Sequence, residues 1–222
     1  MSYVPIRLRT IRPNIPLSFD VYIQLRERYV LYIRNGDDIA EDRLKNLKNK
    51  KVRQLFIQAE DEEKYQQFLD DRLSQALNDE SMDAGTRAEA ATEVASTAVE
   101  DMHENPENAQ TFKLLEKAAE GIINIVGKKS DVLTLFFDKV QNSDATPVIK
   151  HALNVSSLVA CVSEELGLPE KSTQDMAVAA LLMDVGMIKM GESEQELFTK
   201  DRKQITSSEW KVFREHPVYS RD

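Results

Sequence analysis

The sequence predicts an α+β fold: a small α/β N-terminal domain, a linker helix and an all-α helical bundle. Three observations carry this. Apolar and polar residues alternate in short stretches near the start; alanine, glutamate and threonine dominate 79–104; and every apolar run from Ala109 onward has helical spacing.

Strands are expected at Tyr3 to Leu8, Phe19 to Leu25 and Tyr29 to Arg34, where β-branched and aromatic residues alternate with polar ones. Arg26-Glu27-Arg28 is short and polar enough to close a hairpin between the second and third, and Asn35-Gly36-Asp37-Asp38 supplies a turn and a helix start. Ile39, Leu44 and Leu47 mark a short amphipathic helix, Val52 to Ile57 a further strand, and Tyr65, Phe68, Leu69, Leu73 and Leu77 a helix over Glu60 to Leu77. These make the first domain, 1–78.

Residues 79–105 carry few large apolar side chains and are read as an exposed, acidic linker helix, with His103 in solvent; Asn105-Pro106 interrupts it, because proline lacks an amide donor. The second domain, 106–222, is read as helices over Phe112 to Val126, Asp131 to Val140, Pro147 to Leu166, Ser172 to Met187 and Ser207 to Glu215. Pro147 suits a first turn, Gly167 a C-terminal cap and Ser207-Ser208-Glu209 a helix entrance.

The composition narrows the function. With 222 residues and 41% hydrophobic content the chain can bury a real core. The formal charge of −9 argues against a nucleic-acid polymer as partner. Basic residues outnumber acidic ones from Met1 to Arg53, which either favours an anionic ligand or is a solvated surface that differs in sign from the acidic Glu60 to Glu107 stretch. The single cysteine, Cys161, excludes a disulfide framework and suits a reducing compartment. No apolar run approaches the roughly 18 residues of a membrane span, and the start lacks the apolar region of a signal peptide, so a cytoplasmic location off the membrane is expected.

Of the three histidines, His151 and His216 lie in the helical half with Asp184, which follows the nearly all-apolar Ala177 to Leu182. An ionised carboxylate at the end of a buried helix needs a cation or several hydrogen-bond donors. A metal would satisfy it; so would local capping or pairing, with His151 satisfied against the core. Trp210 is read as packing the last helix on the bundle. Gly-rich phosphate loops, Cys-x-x-Cys pairs and Gly-x-Ser-x-Gly elbows are absent from the sequence.

The segments His151-Ala-Leu-Asn-Val-Ser, Glu165-Leu-Gly-Leu-Pro, Ala179-Ala-Leu-Leu-Met-Asp-Val-Gly-Met and Ile205-Thr-Ser-Ser-Glu-Trp to His216-Pro217 resemble the HD-GYP family, and 1–77 looks like the small domain that precedes some of its members. The resemblance implies an HD-type helical bundle and cytoplasmic cyclic di-GMP phosphodiesterases that use two or three iron or manganese ions. It makes His151 the first histidine ligand, Asp184 the bridging aspartate and His216 the histidine of the His-Pro element. The family's His-Asp doublet is Met183-Asp184 here, and the lysine after the doublet's glycine is Met187. A thioether is a poor ligand in a nitrogen and oxygen site, and methionine offers no cation to a phosphate. The sequence also ends at Asp222, before the family's His-His-Glu and Gly-Tyr-Pro elements.

The expectation is therefore a degenerate site with His151, Asp184 and His216 as vestigial ligands, no intact catalytic set, and no resident cofactor unless iron or manganese occupies what remains. The expected role is a regulatory or protein-interaction module, with signalling proteins, a second copy of the chain or cyclic di-GMP as partners. The alternative is a fragment of an active, metal-dependent cyclic di-GMP phosphodiesterase.

Overall fold

The computed structural model describes residues 2–79, 81–104, 109–127 and 130–221. The expected interruption at Asn105-Pro106 lies outside them. The chain divides into two compact units, Met1–Arg72 and Leu73–Asp222.

The first unit is built on an antiparallel sheet of β1 (Tyr3–Arg7), β2 (Val21–Leu25), β3 (Arg28–Ile33) and β4 (Gln54–Gln58), in the order β1-β4-β2-β3. The hairpin closes through Arg26 and Glu27, with Leu25 opposite Arg28 and Arg26 in the left-handed region at φ 59°. Helix α1 (Glu41–Asn49) enters β4, and α2 (Glu62–Asn78) follows it. Strand alternation sets the faces: Ile6, Leu55 and Ile57 are buried on one side, while Tyr3 and Phe56 point to the other. On the buried side Phe19 meets Tyr65 and Phe68 of α2 edge-on, each at 5.8 Å, and the Tyr65 hydroxyl lies 3.0 Å from Thr10 Oγ1. On the other, Tyr3 stacks on Tyr29 at 4.1 Å and meets Tyr22 edge-on.

The second unit is helical: α3 (Ala84–Glu104), α4 (Ala109–Val126), α5 (Ser130–Asn142), α6 (Pro147–Glu165), α7 (Glu170–Leu182), a 3-10 turn at Val185–Lys189, the short α8 (Glu192–Gln195), α9 (Ser207–Phe213) and α10 (His216–Arg221). Helix α6 starts with Pro147 in its first turn and closes at Gly167, whose φ of +62° lets its amide donate to Glu164 O and that of Leu168 to Ser163 O.

Two expectations are corrected here. The helix read as exposed is a central one: α3 packs against α4, α5 and α6 and buries Ala88, Ala91, Val94, Ala95, Ala98 and Val99. Small side chains let neighbouring backbones approach closely, so a lack of large apolar residues meant tight packing rather than exposure. The buried Thr92 and Thr97 hydroxyls donate to the carbonyls one turn earlier, Ala88 O at 2.8 Å and Glu93 O at 2.9 Å, so neither burial leaves an orphaned donor. His103 is half-buried rather than exposed, and desolvation pushes its pKa down to about 4. Second, the helix expected to run to Met187 ends at Leu182, because Asp184 leaves the helical region at φ −108°, ψ 15° and a tighter turn begins.

Candidate metal centre

Asp184 sits where α7 gives way to the 3-10 turn, so its carboxylate leaves the apolar helix and stays only 8% exposed. From that turn Gly186 determines what lies beside it. A Cβ at Gly186 would collide with the backbone of His216 and Ser220 and fall 2.7 Å from Tyr219 Cβ. Only glycine allows α10 to lie directly on the turn. The contact is latched by two hydrogen bonds: Gly186 N donates to Ser220 Oγ at 2.9 Å, and that hydroxyl donates to His216 O at 3.0 Å.

This seat brings His216 Nε2 to 3.2 Å from Asp184 Oδ1. His216 Nδ1 lies 2.6 Å from Phe213 O; a carbonyl only accepts, so Nδ1 carries the proton and donates. That leaves Nε2 in one of two states. It is either a second N–H paired with the carboxylate or a bare lone pair facing another acceptor, which requires a cation between them. A histidine whose second nitrogen donates to a backbone carbonyl is the arrangement of metal-ligating imidazoles. Asp184 Oδ2 is buried and accepts no hydrogen bond from the described residues. His151, from the first turns of α6, places Nε2 3.9 Å from that same oxygen, but its side chain is half exposed.

Aromatic rings join the two histidines: His151 meets Phe198 at 5.4 Å, Phe198 lies 6.3 Å from Phe213, and Phe213 lies 4.7 Å from His216. Trp210 is half-buried and stacks on Phe213 at 5.7 Å, so it supports this run rather than filling the helical core. Helix α9 carries a capping box in which Thr206, not one of the following serines, is the cap: Glu209 N donates to Thr206 Oγ1 and Thr206 N to Glu209 Oε2. Lys200 also binds Glu209 at 2.7 Å, and these bonds hold the Glu209 carboxyl down at a pKa of about 2.

The structure thus brings His151, Asp184 and His216 to one place. Met183 is half-buried beside Asp184, and Met187 is 2% exposed within the fold, as ordinary packing residues are. Among the described residues no group of three or more His, Cys, Asp or Glu is arranged to hold an ion, whereas catalytic sites supply about three protein ligands. Two donors are close and the third stands off; the neighbouring position offers a thioether. Gly186, Ser220, Phe198 and Phe213 were not singled out from the sequence as parts of this site. Only Gly186 had a signal, a glycine two residues after the aspartate.

Residues 136–222, which contain all three of these side chains, match the HD domain family. The helical unit therefore carries an HD domain. The chain is also similar to Bd1817, a HDG"Y"P protein from Bdellovibrio bacteriovorus, at 27% identity and a TM-score of 0.71, over 98% of this chain and 70% of that one. No curated protein matches. The two matches together support an HD-GYP type of domain, with Met183 where the doublet has its histidine.

Proposed function

We propose that this chain is a cytoplasmic regulatory or protein-interaction module derived from a cyclic di-GMP phosphodiesterase, and that its own residues do not sustain hydrolysis. Its HD domain is of the metal-dependent phosphohydrolase type. The observation that carries the proposal is the pairing of Met183 with Asp184. Phosphodiester hydrolysis of this kind relies on ions that polarise the phosphoryl oxygen and activate water. A thioether in the doublet, with His151 standing off at 3.9 Å, supplies too few donors to fix those ions. An interaction role is supported by Leu158 and Val162 of α6 and Leu166 at its C-cap, an exposed apolar stripe at four-residue spacing. Among the described residues no helix is long and apolar enough to cross a membrane.

The test is elemental analysis of protein purified in manganese or ferrous iron, run with a cyclic di-GMP hydrolysis assay. Substoichiometric metal and no turnover are expected. Near-stoichiometric metal with turnover would overturn the proposal.

A second reading is favoured by the buried, unsatisfied Asp184 Oδ2 and by the Nδ1–H of His216 held on a backbone carbonyl. Under it, these residues are part of an active phosphodiesterase whose remaining ligands come from elsewhere. The same two assays on the longest chain its reading frame encodes distinguish the two.

A further inference from the structure

The first unit holds a cavity that the role proposed for the HD domain does not use. Strands β2 and β4 pair through Tyr22 and Phe56, and no further register pair joins them among the described residues. Continued antiparallel pairing would set Ile23 to Leu25 against Arg53 to Leu55. Instead the two segments border a cavity of about 700 Å³, backed by Leu47 of α1. That volume is in the range of small-molecule sites. Three cations line it, Arg43, Lys50 and Arg53, and no carboxylate is among its lining residues. The Arg43 guanidinium lies over the Tyr32 ring, 4.8 Å from its centre, a contact that biases it towards this position. The remaining wall mixes apolar and aromatic side chains, among them Ile23, Val52 and Phe56, with the polar Gln24, Asn46 and Gln54.

Two arginines and a lysine around one cavity suit a phosphoryl dianion, which accepts forked, charge-assisted hydrogen bonds. Apolar and aromatic walls suit a ring, whose burial adds affinity that an inorganic ion cannot gain. We propose that this cavity binds an organic phosphate with an aromatic body, and that the first unit is a ligand-binding module for such molecules.

The test uses the full chain and calorimetric titration with four probes: inorganic phosphate, glucose 6-phosphate, phenyl phosphate and adenosine monophosphate. The two aromatic phosphates are expected to saturate, at least about tenfold more tightly than the other two. R43Q, K50Q and R53Q, all at exposed positions, are each expected to weaken phenyl phosphate about tenfold or more, the loss typical of one charge-assisted hydrogen bond. K48Q removes the same charge from α1 at a position that does not line the cavity, and should leave affinity within twofold. Absence of saturable binding at millimolar concentration would overturn the proposal. So would equal losses in K48Q and R53Q, which would reduce the effect to diffuse positive potential. Inorganic phosphate binding as tightly as phenyl phosphate would overturn the aromatic body.

Discussion

Replacing Gly186 with alanine should undo the pairing of His216 with Asp184 while leaving both residues in the sequence. The added Cβ meets two backbone atoms and the Tyr219 Cβ, none of which is the end of a flexible side chain. Forced overpacking of this kind costs about 1–3 kcal/mol. Moving α10 away also breaks the Gly186 to Ser220 hydrogen bond, worth about 1 kcal/mol. The sum, roughly 2–4 kcal/mol, falls on a short helix with no buried residues of its own, whose main contact is the Val185–Lys189 turn. It should therefore appear as local opening rather than loss of the whole unit. Hydrogen exchange in G186A should lose about 30-fold or more of the protection at 218–221, while α4 and α6 keep theirs. S220A, which removes the latch without the clash, should lose only about fivefold, corresponding to about 1 kcal/mol. Unchanged protection at 218–221 in G186A would refute the idea that backbone contact at this glycine seats His216.

Three further outcomes are expected. M183H restores a nitrogen donor beside Asp184; at manganese concentrations a hundredfold above its Kd, the metal should add about 2.7 kcal/mol and raise the Tm by roughly 5–10 °C, with no such shift in the parent chain, as read by thermal unfolding. A95L, in the buried face of α3, should lower stability by about 1–3 kcal/mol in denaturant titration, whereas on an exposed helix it would be nearly neutral. His103 has its folded pKa at about 4, below the ordinary 6.5, so it stays neutral in the fold while the unfolded chain takes up a proton. Its contribution is complete above pH 6.5 and is lost as pH falls towards 4. The loss is at most about 3 kcal/mol, and H103F should flatten that part of the stability profile.

The sheet was legible because alternation is a direct consequence of strand geometry: Leu55 and Ile57 turn inward and Phe56 outward, as their sequence order requires. Helices α4 to α7 were legible from spacing and from Pro147 and Gly167. Helix α3 was misread because alanine and threonine carry no strong signal of burial by themselves. Whether they face solvent or a neighbouring backbone depends on partners distant in sequence. The end of α7 was missed for a related reason: Asp184 leaves the helical region beside Gly186, whose contact is with α10, distant in sequence. At the site, residue types with distinctive chemistry, His151, Asp184 and His216, could be found from one sequence. The parts that position them could not: Phe213 acts through its carbonyl, Ser220 through a hydroxyl common to surfaces, and Phe198 through ring contacts with no periodicity. The cationic cavity of the first unit was foreshadowed only by the excess of basic residues before Arg53.

Helix α3 has a consequence for how the second unit resists heat. Folding must freeze side-chain rotamers, which costs up to about 2 kcal/mol for a long flexible chain and nothing for alanine. A central helix whose buried face is largely Ala88, Ala91, Ala95 and Ala98, with Ser96, Thr92 and Thr97, orders that face at little entropic expense. Entropy weighs more as temperature rises, so this helix gains least by melting, while neighbours with longer side chains gain most. On warming, α3 should be the last segment of the unit to lose its order.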